Sequence, residues 1–167
     1  KFSDLQRDVY NVVLRAHGEV KDMIKPGTMY PEIHKAAYLS LADGLKGLGL
    51  IKSTPEVAVE AGAMYLFMPH GLGHNMGLDV HDMEDLGQIY VGYDDTYRPS
   101  TQFGLASLRM GKMLHAGHVL TVEPGCYFIP ALIDQWKAEG TNKDFINFDA
   151  LDAYRTFGGI RLEDDIV

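Results

Sequence analysis

Cysteine is almost absent from the 167-residue sequence, in which Cys126 is the only one. A single thiol cannot form an intrachain disulfide, so a disulfide-stabilised scaffold is excluded and a reducing compartment, the cytoplasm, is the expected location. A run of about 18 apolar residues, as a transmembrane helix requires, is also missing. We therefore expect neither disulfides nor a membrane partner.

Positive charge is in short supply as well. There are 15 Lys and Arg against 23 Asp and Glu, a formal net charge of −8, and no Lys/Arg cluster is longer than two residues. Nucleic-acid binding needs dense positive charge, so we predict no nucleic-acid partner. Hydrophobic residues make up 46% and charged residues 23%, which is typical of a globular chain, and the length is that of one ordinary domain.

Periodicity predicts an α+β fold with helices first and strands later. Apolar residues recur at helical spacing over 3–25, from Tyr30 to Gly47, and from Pro55 to about Met64. Two weaker helical patterns follow at 130–139 and 143–154. β-prone runs cover 119–123, 126–129 and 160–163, while the polar residues 84–107 have no period and are predicted to form a long surface loop.

Three histidines, His70, His74 and His81, lie within a twelve-residue window. Two glycines between the first pair argue against a helical zinc motif. In an extended segment, residues an even number apart face the same side, so His70 and His74 are expected to face one cleft. His81 would point to the other side unless the chain turns at Gly77. The alternative is that all three are ordinary surface or core histidines.

Two glutamates, Glu123 and Glu163, stand at the ends of predicted strands. A carboxylate among apolar neighbours is costly to bury unless it is paired or binds a metal, although Glu123 at a strand end can also point to solvent. Arg161 and Glu163 share one face of an alternating strand, and such a face is usually solvated. One histidine and two glutamates would form a mixed nitrogen and oxygen donor set. Such a set suits Mn²⁺, Co²⁺ or Zn²⁺ and is unlike the thiolate ligands of a structural zinc site.

Several strings of residues resemble, in content, order and separation, the signature of the pita-bread metallopeptidases, a superfamily that includes methionine aminopeptidases, aminopeptidase P and prolidase. They are His70-Gly71-Leu72-Gly73-His74, Val80-His81-Asp82, Leu120-Thr121-Val122-Glu123-Pro124-Gly125 and Gly159-Ile160-Arg161-Leu162-Glu163-Asp164-Asp165. Within the superfamily, prolidases are most similar in the strings Phe67-Met68-Pro69-His70-Gly71-Leu72-Gly73-His74, Ser107-Leu108-Arg109 and Tyr127-Phe128-Ile129. The resemblance covers essentially the whole chain and implies a pita-bread (creatinase/aminopeptidase-like) fold, with helices packed on a curved, mainly antiparallel sheet.

The resemblance also implies a metal site. His74, Glu123 and Glu163 match three of the family's five metal ligands, and Glu163 is expected to bridge two divalent ions, foremost Mn²⁺, with Co²⁺ or Zn²⁺ possible. The family's other two ligands are aspartates eleven residues apart on a strand hairpin before the first helix, and no two aspartates here have that separation. Residues 1–167 are therefore expected to be the C-terminal portion of a catalytic domain, without the first metal-ligand hairpin and the N-terminal domain, and with weak binding of one ion.

The remaining motif residues match the substrate side of the family's site. His81 matches a histidine that contacts the scissile carbonyl, His70 another substrate-side histidine, and Arg109 an arginine that clamps the free carboxylate of a dipeptide. Arg161 and Tyr127 match residues that surround the metal ligands. Glu123 also matches the residue that shuttles protons, so His81, Glu123 and His70 are the predicted catalytic residues.

The activity implied by the resemblance is hydrolysis of Xaa-Pro dipeptides. A water between two metal ions is acidified, a metal polarises the carbonyl, and a glutamate shuttles protons. Two alternatives stay open: an aminopeptidase P-like enzyme acting on longer Xaa-Pro peptides, and a pita-bread protein that has lost catalysis and binds other macromolecules. The resemblance further implies a homodimer for the complete enzyme.

Overall fold

Five α-helices, four short 3-10 helices and four β-strands make up the fold, and the computed structural model describes all residues, 1–167. The α-helices are α1 (Asp4–Met23), α2 (Tyr30–Gly47), α3 (Pro55–Glu60), α4 (Gln88–Val91) and α5 (Pro130–Glu139). The strands are β1 (Leu120–Val122), β2 (Gly125–Phe128), β3 (Gly158–Arg161) and β4 (Asp164–Ile166). The 3-10 helices cover Ala63–Leu66, Glu84–Leu86, Leu105–Ser107 and Ala150–Tyr154.

The two long helices predicted at the N-terminus are confirmed, and they pack against each other. α1 begins with a capping box, in which Gln6 N donates to Ser3 Oγ (3.2 Å) and Ser3 N donates to Gln6 Oε1 (2.9 Å). Its buried residues recur at helical spacing and form one face: Val9, Val12, Val13, Ala16, His17 and Val20. None of the helices is long and apolar enough to cross a lipid bilayer.

Two buried clusters pack against different parts of the strands, the larger one against β2 and the smaller one against β1. The larger one joins α1 and α2 to β2, α5 and the segment around Phe67. The smaller one lies beneath β1 and contains Tyr30, Ile33, Leu108 and Val122, all fully buried. Since α2 supplies the first two of these residues and β1 the last, the smaller cluster fixes the start of α2 against β1.

The four strands form two antiparallel ladders, β1 with β4 and β2 with β3. Both ladders have the same register, and Gly125 faces Arg161 in the second one. A hydrogen bond from Leu162 N to Pro124 O (3.2 Å) spans the break between them. The ladders are thus one antiparallel strand pair that is interrupted near Pro124, where the missing N–H of proline prevents regular pairing.

The segment 67–76 runs along the other edge of this strand pair. Backbone hydrogen bonds join Tyr127 N to Phe67 O (2.7 Å), Glu123 N to Leu72 O (2.7 Å) and Thr121 N to His74 O (3.0 Å). An antiparallel bridge between Asn75 and Leu120 continues the pattern. The histidine-bearing segment is therefore extended, as the sequence predicts, and β1 and β2 lie in the middle of the layer.

The predicted third helix is too long. An α-helix from Pro55 ends at Glu60, and a separate 3-10 helix, Ala63–Leu66, follows. Gly62 between them has φ of 76°, a left-handed conformation that ends a right-handed helix.

The predicted helix over 143–154 is also wrong, except for the 3-10 helix Ala150–Tyr154. The backbone before it is used for a long-range contact, because Asn147 N donates to Leu50 O (2.9 Å). A helical periodicity in the sequence cannot reveal such a contact.

Of the predicted last strand, 160–163, only Ile160 and Arg161 lie in a strand, β3. β3 ends at Arg161 and β4 begins at Asp164, so Leu162 and Glu163 stand at the break. The predicted loop 84–107 is irregular over most of its length but contains three short helical segments, Glu84–Leu86, α4 and Leu105–Ser107.

Candidate active site

Two glycines let the segment with His70 and His74 approach its neighbours closely. A Cβ atom at Gly73 would lie 2.0 Å from Thr121 O and 2.4 Å from Tyr30 Oη. A Cβ atom at Gly71 would lie 2.8 Å from the Leu108 Cα. A side chain at Gly73 would push the segment away from β1, and one at Gly71 would push it away from residues 107–109, so the glycines determine how near the histidines come to their neighbours.

His74 and Glu123 form the centre of the site. Both are buried, and the distance from His74 Nε2 to Glu123 Oε1 is 3.3 Å. The hydroxyl of Thr121 joins them, since it accepts a hydrogen bond from His74 N (3.0 Å) and donates one to Glu123 Oε1 (3.1 Å). The other ring nitrogen, Nδ1, lies 2.9 Å from Asn75 O. A carbonyl can only accept, so Nδ1 carries a proton and Nε2 faces the carboxylate.

The charges at this centre favour a cation between the two side chains. Burial acts to raise the pKa of Glu123, but hydrogen bonds from His74 and Thr121 and the charge of Arg161 outweigh it, and the pKa lies below its ordinary value. Burial acts to lower the pKa of His74, but the hydrogen bonds to Glu123 and Asn75 raise it overall. A neutral Nε2 would point a lone pair at a carboxylate. A proton or a metal cation removes that repulsion, so this donor pair fits a divalent metal.

Arg161 connects Glu123 to Glu163. The common register of the two ladders places these two glutamates opposite each other across the strand pair. Like charges at facing positions repel. Arg161 Nη1 lies 3.2 Å from Glu123 Oε2, and Nη2 lies 3.2 Å from Glu163 Oε2, so one guanidinium bridges the two carboxylates and offsets part of their repulsion.

The structure does not bring Glu163 into the pair formed by His74 and Glu123. No group of three or more His, Cys, Asp or Glu side chains is placed to hold a metal ion. Glu163 is also absent from the cleft wall and is half-exposed, held by Arg161. Of the three ligands that the resemblance implies, His74 and Glu123 therefore lie together, and the guanidinium of Arg161 lies between Glu123 and Glu163.

His70 and Tyr127 form a second contact beside the centre. The distance from His70 Nε2 to Tyr127 Oη is 3.0 Å, and the rings meet edge to face with centroids 5.2 Å apart. Burial lowers the pKa of His70, although its contact with Gly71 O opposes this. His70 is therefore a neutral ring at pH 7, in which Nδ1 donates to Gly71 O (2.7 Å) and Nε2 accepts from Tyr127 Oη.

A turn after Gly77 brings His81 to the same side as the other histidines. Gly77 N donates to Asp79 O (3.2 Å), and Asp82 N donates to Asn75 O (3.3 Å). The His81 ring then meets the His74 ring edge to face, with centroids 4.3 Å apart. The chain therefore turns near Gly77, which is the condition under which the sequence places His81 on the same side as His74.

All of these elements border one cleft with a volume of about 360 Å³. No hydrophobic side chain lines it, and the lining residues are His70, Gly71, Gly73, His74, His81, Ser107, Arg109, Glu123 and Arg161. Tyr127 is not among them and reaches the cleft through His70. The site is thus a polar cleft with histidine, carboxylate and guanidinium groups, suited to a small charged substrate.

Two residues at the site are missing from the sequence-based prediction. Thr121 stands two positions before Glu123, so strand alternation alone places both on one face and could have identified it. Glu84 accepts a hydrogen bond from Arg109, and its Oε2 atom lies 4.0 Å from His81 Nδ1. It belongs to the irregular segment, where no periodic pattern points to it.

Residues 1–167 match the sequence model of Metallopeptidase family M24. The chain belongs to this family. It is 40% identical over 167 residues to Xaa-Pro dipeptidase from Rattus norvegicus and 39% identical to that from Homo sapiens. Both alignments cover 100% of this chain and 32% of the relative, so the chain spans about a third of the length of the curated relatives that it matches. The resemblance to prolidases is confirmed.

Solved structures show the same fold. Proline aminopeptidase P II from Yersinia pestis has a TM-score of 0.68 and 33% sequence identity, and zinc-substituted Escherichia coli aminopeptidase P in complex with product has a TM-score of 0.67 and 30% identity. Each covers 100% of this chain, which in turn covers 30% of each solved chain. The prediction of an α+β fold of the pita-bread type is confirmed.

Proposed function

We propose that this chain forms part of a metal-dependent dipeptidase that hydrolyses Xaa-Pro dipeptides through two divalent metal ions. One observation supports this above all: the donor pair of His74 and Glu123 and the guanidinium of Arg109 line the same cleft. A metal-binding pair suits attack on a peptide carbonyl, and a guanidinium suits a free carboxylate. A dipeptide with a proline at its end presents both groups within a few bonds.

His74, Glu123 and Glu163 would hold metal in this proposal. Their nitrogen and oxygen donors suit Mn²⁺, which we propose as the cofactor, and also suit Co²⁺ and Zn²⁺. A bound divalent ion supplies a Lewis acid and makes a water acidic enough to act as a nucleophile at neutral pH.

The chain's own residues would orient the substrate and move protons. Glu123 is a carboxylate at neutral pH, because its pKa is lowered, so its Oε2 and Oε1 atoms can accept a proton from the attacking water and pass it to the leaving proline nitrogen. His81 and His70 border the cleft and would hydrogen-bond the peptide carbonyl and backbone. Tyr127 would orient His70, and Arg161 would orient Glu123.

Arg109 would define the substrate as a dipeptide. A guanidinium can make two parallel hydrogen bonds to a carboxylate, a geometry that lysine cannot copy. A third residue after proline would replace this carboxylate with an amide. The second candidate function, cleavage of longer peptides as the similarity to aminopeptidase P suggests, predicts no such dependence on the free carboxylate.

The test is hydrolysis of Gly-Pro and of Gly-Pro-Gly by the purified 167-residue chain, after chelation and again with added Mn²⁺. We expect any cleavage by this chain to require metal and to be confined to the dipeptide. Arg109→Ala should raise KM for Gly-Pro about tenfold or more, because a charge-assisted hydrogen bond contributes about 1.5–3 kcal/mol. The control is Arg98→Ala, which removes an exposed arginine that pairs with Asp95.

Preferential cleavage of Gly-Pro-Gly would favour the aminopeptidase function instead. If the folded chain cleaves neither peptide with Mn²⁺ present, it is inactive alone; the same result for a protein that contains this chain and has the length of its Xaa-Pro dipeptidase relatives would refute the proposal.

A further inference from the structure

Glu84 touches two side chains of the cleft without lining the cleft itself. Its Oε2 atom accepts a hydrogen bond from Arg109 Nη1 and lies 4.0 Å from His81 Nδ1. The Glu84 side chain is 18% exposed, whereas the next residue in the same turn, Asp85, is exposed. Of two adjacent carboxylates, only Glu84 is therefore directed to the cleft wall.

The backbone before Glu84 has an unusual conformation that directs it there. Met83 has φ of 57°, which is uncommon for a residue other than glycine, asparagine or aspartate. The Met83 side chain is 54% exposed, so its own packing does not offset that strain. A hydrogen bond from Glu84 N to His81 O (3.3 Å) closes the turn. The contact of Glu84 with Arg109 is the favourable interaction that this turn makes possible.

We infer that Glu84 is a positioning residue that holds Arg109 and His81 in fixed relation to each other. The inference rests on the proposed function, in which Arg109 binds the peptide carboxylate. A long arginine side chain loses rotamer freedom when it binds, and a carboxylate that already fixes it reduces that loss. Glu84 takes one of the five guanidinium N–H groups and leaves the rest for a substrate.

The position of Glu84 distinguishes this role from competition with the substrate. A carboxylate inside the cleft would occupy the place of the peptide carboxylate and weaken binding. Glu84 is not among the residues that line the cleft, so it does not occupy the place of the peptide carboxylate. Glu84 should therefore increase the affinity for peptides that end in a free carboxylate after proline, and it should not change the affinity for the corresponding amides.

The experiment measures binding of Gly-Pro and of Gly-Pro amide to the 167-residue chain by calorimetry, in a chelator so that no hydrolysis occurs. The parent is compared with Glu84→Gln, Glu84→Asp, Arg109→Ala and, as the matched control, Asp85→Asn. Glu84→Gln and Asp85→Asn each remove one negative charge from adjacent positions of one turn. Their long-range electrostatic effects are therefore nearly equal.

We expect Glu84→Gln to weaken Gly-Pro binding about two- to twelvefold and to leave binding of the amide unchanged, because one immobilised side chain costs about 0.5–1.5 kcal/mol. Asp85→Asn should change neither affinity. Glu84→Asp keeps the charge and should restore part of the lost affinity. The double variant of Glu84→Gln with Arg109→Ala should bind no more weakly than Arg109→Ala alone, since the two residues act together.

Tighter binding by Glu84→Gln would mean that Glu84 competes for the carboxylate position and would overturn the inference. Equal effects of Glu84→Gln and Asp85→Asn, or equal losses for acid and amide, would also overturn it. If Arg109→Ala leaves Gly-Pro binding unchanged, the carboxylate clamp itself is wrong and the role of Glu84 fails with it. If Arg109→Ala weakens binding and Glu84→Gln does not, only the inference about Glu84 fails.

Discussion

Replacing Gly73 by alanine adds one methyl group at the closest approach between the histidine segment and β1. The new Cβ atom would lie 2.0 Å from Thr121 O and 2.4 Å from Tyr30 Oη. The first of these is a backbone atom, and the second belongs to a fully buried tyrosine, so neither can move aside freely. The segment and the strand would have to separate by roughly 1 Å in a close-packed interior.

The expected cost follows from the contacts that this separation breaks. Overpacking a buried position costs about 1–3 kcal/mol. The hydrogen bonds from Tyr30 Oη to Thr121 O (2.8 Å) and from His74 N to Thr121 Oγ1 (3.0 Å) would stretch as well. Each buried group left without a partner costs about 1–3 kcal/mol. We expect Gly73→Ala to lower the free energy of unfolding by about 3–5 kcal/mol, out of a total of about 5–15 kcal/mol for a typical domain.

Urea unfolding followed by the fluorescence of Trp136, the only tryptophan, measures this loss. Gly18→Ala is the matched control, because the added Cβ atom meets no atom within 4 Å and the residue lies inside α1. Alanine is favoured over glycine in a helix, so this variant should gain about 0.5–1 kcal/mol. A free energy of unfolding for Gly73→Ala within about 0.5 kcal/mol of the parent would refute the reasoning.

Three further outcomes are expected. Burial lowers the pKa of His34 from 6.5 to about 3, so its contribution to stability is complete above about pH 6.5 and is lost as the pH falls towards 3. The free energy of unfolding of His34→Leu in urea should therefore rise relative to that of the parent by about 2 kcal/mol from about pH 7 to pH 5. An equal difference at both pH values contradicts this. Burial raises the pKa of Cys126 to about 12, so a thiol reagent should label this residue no faster than the chain unfolds. Rapid labelling of the native chain at pH 8 would contradict this expectation. Thr121→Val should cost about 1–3 kcal/mol in urea unfolding and exposed Thr101→Val almost nothing; equal costs would show that the buried hydroxyl is unimportant.

Much of the fold could be predicted from local pattern. α1, α2 and α5 have helical spacing together with a capping box, a proline at the start or a glycine at the end, and all three form as predicted. The region 143–149 fails because its backbone pairs with residues near Leu50, far away in sequence. Local periodicity describes which side a residue faces, but it carries no information about a partner that is distant in the chain.

The candidate site was only partly accessible from sequence. Alternation along an extended segment predicts that His70 and His74 share a side, whereas the place of Arg109 in the same cleft came from resemblance alone. Glu84 was not identified because its contact with Arg109 depends on a left-handed residue, Met83, in a segment without a period. The hydrophobic pattern of a sequence does not show which side chains an irregular turn brings into contact.

The common register of the two ladders makes the alignment of Glu123 with Glu163 independent of the length of the connection between their strands. An insertion between Lys143 and Asp144, both exposed, would lengthen that connection at an entropic cost of only about 0.6 kcal/mol per doubling of loop length and would leave every facing pair unchanged. A single residue inserted within either strand would instead exchange its two faces and move one carboxylate to the opposite side of the layer. The connection is therefore the natural position for a reporter peptide, an affinity tag or a deliberate chain break, whereas a one-residue insertion within a strand would separate the two carboxylates.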